Sequence, residues 1–374
     1  MISIERSLVT PRWQRVALPI VSLVMASIIA GIVLAVSGHD PLDTYRQIYE
    51  ASFTSAGAVT ATFVYATPLL FTGLAVALAF RMRVWNIGGE GQLYMGAVGA
   101  AGVGLALGGW PQPLLIAMMM VGGAVAGTLW AMIPGLLRAY LHTNEILTSL
   151  MLNYVAGLLM YYLIYDSASF WRDTTSASAL VFPQGKYLLP AADWPGIVIG
   201  SFTLPFGFAA GIVLAVLLLA LIRFTRFGFE MRVMGDSPAA ATYAGMSTRR
   251  KIVTVMALSG GLAGLGGASQ IGDFGHVLDP RGLQQAGYGY TGIVVAALAL
   301  YNPLAVVIVS ILIGALTNAG FALQGPLFPI GLVGTMEGII LFSVLGGEFL
   351  GRYRIRFGRA PAPAIAADEE SGIP

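Results

Sequence analysis

Long apolar runs separated by short polar breaks fill the chain, and their lengths match membrane spans rather than the narrow apolar stripe of a surface helix. Ten such runs can be marked, at about 16–36, 57–80, 87–107, 113–137, 146–165, 205–222, 252–270, 288–300, 303–323 and 329–346. A helix needs roughly 20 apolar residues to cross the hydrocarbon core. The first run meets that length, exceeds the ~7–15 residues of a signal-peptide core and leads into polar His39-Asp40-Pro41, so it reads as a signal anchor. The eighth run is short and follows the polar, glycine-rich stretch 272–289, which predicts a broken or re-entrant segment. The expected fold class is therefore all-α, a polytopic membrane protein of about ten transmembrane helices with broken or re-entrant segments.

The polar breaks set the topology. With the N-terminus inside and ten crossings, 16 of the 20 Lys and Arg fall on the inner side, and only Arg46, Arg172, Lys186 and Arg281 fall outside. This asymmetry fits the positive-inside rule. It divides the chain into a basic cytoplasmic lead, 1–15, a single transmembrane domain, 16–347, and a cytoplasmic tail, 348–374. The tail is too polar and too rich in small residues to fold and reads as largely disordered. The longest outer loop, 166–204, carries Phe170, Trp171 and Trp194, either as interfacial anchors or as a surface for an external partner.

The longest basic break, Arg223 to Lys251, contains a helix signal of its own. Ser237 can cap it, Pro238 suits the first helical position, 239–244 propagate, and Gly245 suits a left-handed stop. The result is a short helix with a face of small side chains, which is either an ordinary loop feature or a peg for a groove on another protein. The other unusual stretch is Arg81 to Ala97, RMRVWNIGGEGQLYMGA, which sets Asn86, Glu90 and Gln92 among glycines at the start of a span. Buried amides and carboxylates need partners. Two readings stand: a helix start with Asn86 as cap and Glu90 on the positive end of the dipole, or polar groups on a solute pathway.

Composition narrows the classes. With 57% hydrophobic and 10% charged residues, the chain has more apolar surface than one soluble core buries. The 48 glycines suit close helix contacts, as at the G-x-x-x-G pairs Gly123/Gly127 and Gly260/Gly264. There is no cysteine, so disulfides and thiolate metal sites have no basis. His39, His142 and His276 are scattered, which gives an enzyme reading no constellation. The basic residues flank apolar spans, leaving no nucleic-acid footprint. No G-x-x-x-x-G-K-[ST] phosphate loop occurs, so this chain hydrolyses no ATP through that motif. A faint echo, G-G-x-x-Q at Gly88 to Gln92 and at Gly266 to Gln270, is either a trace of two halves or chance in a chain this rich in glycine.

Two of these stretches carry a resemblance. The order Arg232, Gly235, Asp236, Ala239, Ala240, Tyr243, Ala244, Gly245, with Ser237 as the helix cap among them, resembles the cytoplasmic loop by which permease subunits of bacterial ABC importers dock their ATPase. Asn86-Ile87-Gly88-Gly89-Glu90-Gly91-Gln92 resembles a signature of the nucleoside and simple-sugar branch of the branched-chain amino acid, ribose and nucleoside permease group. The likeness continues through Thr143 to Leu147, Met151 to Tyr154, Glu337-Gly338 and Tyr353 to Arg356. A histidine-glycine pattern usual in branched-chain amino acid permeases is missing.

The resemblance implies an inner-membrane subunit of an ATP-driven importer for nucleosides or simple sugars, with both termini cytoplasmic. It implies docking residues in the 232–245 segment and a translocation path touching Asn86, Gly88, Gly89, Glu90, Gln92 and Asn153, to which the G-G-x-x-Q echo adds Gln270. The partners it implies are an ABC ATPase that holds ATP and Mg, a second homologous permease, and a periplasmic or lipoprotein substrate-binding protein. No cofactor is expected on this chain itself. The competing readings are an ion-coupled secondary transporter and a branched-chain amino acid permease.

Overall fold

The computed structural model describes residues 2–6, 14–324 and 331–357. Strand β1 (Ile2–Arg6) precedes α1 (Gln14–Val36), which turns by 116° into α2 (Pro41–Phe53). There follow α3 (Ala56–Arg81), α4 (Gly89–Ala106), α5 (Gln112–Leu141) and α6 (Glu145–Tyr161), the last extended by a π-turn to Asp166. The loop beyond holds α7 (Ala177–Val181) and a hairpin of β2 (Ile197–Ile199) and β3 (Phe202–Leu204). Next come α8 (Phe206–Phe224), α9 (Arg226–Asp236), α10 (Pro238–Tyr243) and α11 (Thr248–Ser269), with a second π-turn over Gln270–Gly275. The chain ends in α12 (Pro280–Ala286), α13 (Tyr288–Leu298), α14 (Pro303–Ala322), α15 (Gly331–Arg352) and β4 (Tyr353–Phe357).

Each of the ten apolar runs falls largely on a helix over its described residues. Among the described residues, six helices are long and apolar enough to cross a bilayer, or up to seven if the bent α1–α2 pair is one span. The rest differ for physical reasons. At 11 residues, α13 reaches only about 16 Å at 1.5 Å per residue and cannot span alone. The expected break before it is Gly287, left-handed at φ +60° between α12 and α13. The first run does not simply cross and leave, because Asp40 caps an extra amphipathic helix, α2, whose charges hide it from a hydropathy reading. At the other end, β4 pairs antiparallel with β1 and joins the two ends of the described chain. Residues 348–357, assigned above to the tail, are thus helix and strand, and 358–374 lie outside the described residues.

Close helix contact holds the centre. The two G-x-x-x-G pairs face one another across the α5–α11 crossing, where a Cβ on Gly264 would stand 2.2 Å from the Gly123 carbonyl. Only glycine lets the backbones approach so far. The G-G-x-x-Q echo is not a structural repeat: Gly88 precedes α4, whereas Gly266 and Gly267 close α11.

The loop 166–204 is folded against the helices. Trp171 Nε1 donates to the Val98 carbonyl at 3.0 Å, and the backbone N–H groups of Leu188 and Trp194 donate to the carbonyls of His276 and Gly272 at 2.9 Å each. Asp173 organises the loop's start: its carboxylate accepts from the Ser176 hydroxyl and from the Thr175 N–H, and these bonds hold its pKa below the usual carboxylate range. A lowered pKa means this anchor is complete at neutral pH and lost only as acid protonates the carboxylate.

Candidate functional site

Three helix starts, those of α13, α4 and α8, are each capped by a side chain from another element. A helix N-terminus leaves N–H groups unpaired and carries a positive dipole end, so a buried start needs an acceptor. For α13 that acceptor is Glu90, which is 1% exposed and sits in the first turn of α4. Its Oε2 accepts from the Gly289 N–H and from the Tyr290 N–H at 3.2 Å, and its Oε1 accepts from the Tyr94 hydroxyl at 2.6 Å. For α4 the acceptor is Asn153 of α6, whose Oδ1 takes the Gly91 N–H at 2.9 Å. For α8 it is Asp273, whose Oδ2 takes the Gly207 N–H at 3.0 Å. The spacing of polar residues revealed that Glu90 favours a dipole end; it could not reveal that the dipole belongs to a helix 199 residues further on.

Asn86 and Gln92 form a different unit. Their amides exchange two hydrogen bonds, of 2.9 and 2.8 Å, and Asn86 also donates to Ser259 Oγ, which donates in turn to the Ala75 carbonyl. Asn86 is not the cap of α4; its Oδ1 accepts from the Gly88 N–H at 3.0 Å, just ahead of the helix. The pair, like Gly88 and Gly89, is buried and braces the start of α4 against α3 and α11.

Glu90 and Asn153 open instead onto a cleft of about 340 Å³, lined also by Tyr94, Tyr154, Gly157, Leu158, Tyr161, Gln284 and Tyr290. Asn153 Nδ2 donates to the Ile87 carbonyl at 2.9 Å and to the Tyr290 hydroxyl at 3.3 Å, and Gln284 Nε2 donates to the Gly157 carbonyl at 3.2 Å. Four tyrosines thus surround a carboxylate and two side-chain amides, a set able to stack on a flat ring and to replace hydrogen bonds lost with water. Sequence reading missed the tyrosines. Tyr94 lies four residues after Glu90 and Tyr161 seven after Tyr154, so helical spacing held the signal. Gln270 is buried at the start of the second π-turn and is not among the cleft's lining residues. A smaller cavity of about 140 Å³ holds Gln285, Thr317, Gln324 and Glu337, and the Glu337 carboxylate accepts from the Thr291 hydroxyl at 2.9 Å.

The basic segment forms a separate surface. Ser237 Oγ accepts from the Ala240 N–H at 3.3 Å, α10 follows, and Gly245 stops it at φ +75°. Ala239, Ala240, Ala244 and Asp236 are exposed, Tyr243 is 97% exposed, and Ala241 turns inward. Arg232, Gly235 and Asp236 sit on α9, a helix that the sequence reading took as loop because it carries four charges in 11 residues; Gly235 is buried and Arg232 exposed. Among the described residues, no group of three or more His, Cys, Asp or Glu could hold a metal ion.

Residues 58–345 match the family described as the permease component of branched-chain amino acid transport systems. The chain is 31% identical over 96% of its length to the glucose ABC transporter permease protein of Haloferax volcanii, covering 96% of that protein. It is 31% identical to the guanosine ABC transporter permease protein of Bacillus subtilis, over 82% of this chain and 85% of that one. The nucleoside ABC transporter permease protein NupB of Lactococcus lactis is 26% identical, over 89% and 91% of the two chains. No solved structure matches the chain.

Proposed function

The chain belongs to the family of permease components of branched-chain amino acid transport systems, and from that membership we propose that it is the membrane-spanning subunit of an ATP-driven ABC importer carrying nucleosides across the bacterial inner membrane. The observation that carries the substrate class is the cleft where Tyr94, Tyr154, Tyr161 and Tyr290 surround Glu90, Asn153 and Gln284. A purine or pyrimidine offers a flat face to aromatic rings, and a ribose offers hydroxyls to the carboxylate and amides. Each buried polar group left unpaired costs about 1–3 kcal/mol, so replacement partners lower the barrier to leaving water.

In this reading Glu90 and Asn153 face the solute. Asn86, Gly88, Gly89 and Gln92 hold the start of α4 in place beneath them, and Gln270 belongs to the outer approach. The segment from Arg232 through Gly235, Asp236, Ser237, Ala239, Ala240, Tyr243 and Ala244 to Gly245 docks the partner ATPase, which holds ATP and Mg; bare methyl groups and a fully exposed tyrosine suit a groove on another protein. A second permease chain and an external binding lipoprotein complete the complex, and both termini lie in the cytoplasm, as the distribution of Lys and Arg supports.

A simple sugar is the second reading, favoured by the likeness to the glucose permease of Haloferax volcanii. Competition assays separate the two. Uptake of tritiated adenosine should be blocked by excess guanosine and not by glucose, and Tyr161→Ala should reduce it by about tenfold, the ~1–3 kcal/mol a stacked base loses with its aromatic partner. Competition by glucose alone, with Tyr161→Ala neutral, would assign the cleft to sugars.

A further inference from the structure

We propose that Arg81 is a coupling residue, through which motion of the docking segment reaches the cleft by way of α13 acting as a short lever. The proposal rests on the docking reading of α9 and α10. Opposite charges hold α13 at its two ends. At its N-terminus the Glu90 carboxylate accepts the first-turn amides of Gly289 and Tyr290. Beyond its C-terminus the Arg81 Nε–H donates to the Tyr301 carbonyl at 3.0 Å. A negative group at the start and a positive group at the end both complement the helix dipole.

The lever is a discrete piece of chain. Gly287 breaks the backbone before it at φ +60°, and Leu300 and Tyr301 turn it sharply after it, with φ of 49° and 56°. Left-handed leucine and tyrosine are strained and persist only where their surroundings fix them. Here the Tyr301 N–H bonds to the Ala296 carbonyl at 2.9 Å, the Tyr301 ring lies 5.7 Å from Phe80, and Arg81 holds the carbonyl. Along its length α13 is fastened to α3: the Thr72 hydroxyl donates to the Tyr288 carbonyl at 3.0 Å, and Gly292 lies directly on Thr72. The two helices therefore move as one body against α4, and the joint that must yield is the Glu90 cap at the cleft.

The docking segment touches this body at the C-terminal end of α3. A Cβ on Gly235 of α9 would stand 2.5 Å from the carbonyl of Arg81 and 3.5 Å from the Cα of Met82. The backbone of α9 thus lies flush on the cytoplasmic end of α3, two residues before Ser237 caps the docking helix. A push on α10 passes through Gly235 to Arg81, from Arg81 to Tyr301, and along α13 to Tyr290, whose hydroxyl accepts from Asn153 in the cleft. The contacts form a continuous chain between the two sites, the kind of packed network along which coupling energy can travel.

The test uses the complete transporter in liposomes, with tritiated adenosine as the probe. Arg81→Met keeps the aliphatic stem and removes the donor, and Arg81→Lys restores a charged donor. Arg81→Met should lower adenosine transported per ATP by about tenfold while the bound ATPase subunit and basal hydrolysis stay within about twofold of wild type, within the usual range of coupling energies. Arg81→Lys should recover much of the ratio. Unchanged transport per ATP in Arg81→Met overturns the lever, as does loss of the ATPase subunit, since Arg81 would then serve docking or folding. The docking reading fails separately, if Ala240→Arg leaves the ATPase bound and transport normal.

Discussion

Glu90 shows how much one residue can carry in this fold. Its carboxylate satisfies two amides of α13 and takes the Tyr94 hydroxyl, and it lines the cleft at the same time. Glu90→Gln keeps an oxygen for the amides and presents its NH2 to Tyr94, whose hydroxyl then accepts. That variant should keep normal membrane abundance and melting temperature but lose uptake if the charge orients the solute. Glu90→Ala leaves the two amides without an acceptor, at about 1–3 kcal/mol each, and should lower the melting temperature of the detergent-solubilised protein measurably. A wild-type melting temperature for Glu90→Ala would contradict the cap. The sequence made Glu90 stand out, since a carboxylate among glycines at the head of an apolar run demands a partner. It could not name that partner, because capping across a long sequence separation leaves no periodic trace.

Among the elements, the α5–α11 crossing was the most legible, because two G-x-x-x-G pairs mark helix faces built for backbone contact. Gly264→Val should reduce the yield of folded protein sharply, because a side chain must enter 2.2 Å from the Gly123 carbonyl and overpacking costs about 1–3 kcal/mol or more. Gly109→Ala, with no atom within 4 Å, should not. Equal yields in a membrane-abundance assay would remove the crossing from the account. Helix α10 was legible for the same kind of reason, since Ser237, Pro238 and Gly245 are local signals with local causes. α2, α9 and the α12–α13 pair were less so: their charges or shortness defeat a hydropathy reading, and neighbouring helices, rather than their own sequence, decide where they lie.

At the scale of the whole molecule, ten apolar runs gave the helical framework, whereas the cleft emerged only when α4, α6, α12 and α13 were brought together. Its tyrosines are 196 residues apart at the extremes, Tyr94 to Tyr290, and no motif unites them. The central claim is that the chain moves solute only when a partner ATPase seated on α10 drives it. Ala240→Arg, on the exposed face of α10, tests this most directly, because an arginine cannot enter a groove sized for a methyl group. In cells expressing the full transporter, the variant should insert at wild-type abundance, co-purify with little ATPase subunit, and abolish uptake of tritiated adenosine. Normal uptake by Ala240→Arg, or wild-type uptake in cells depleted of the ATPase, would contradict it.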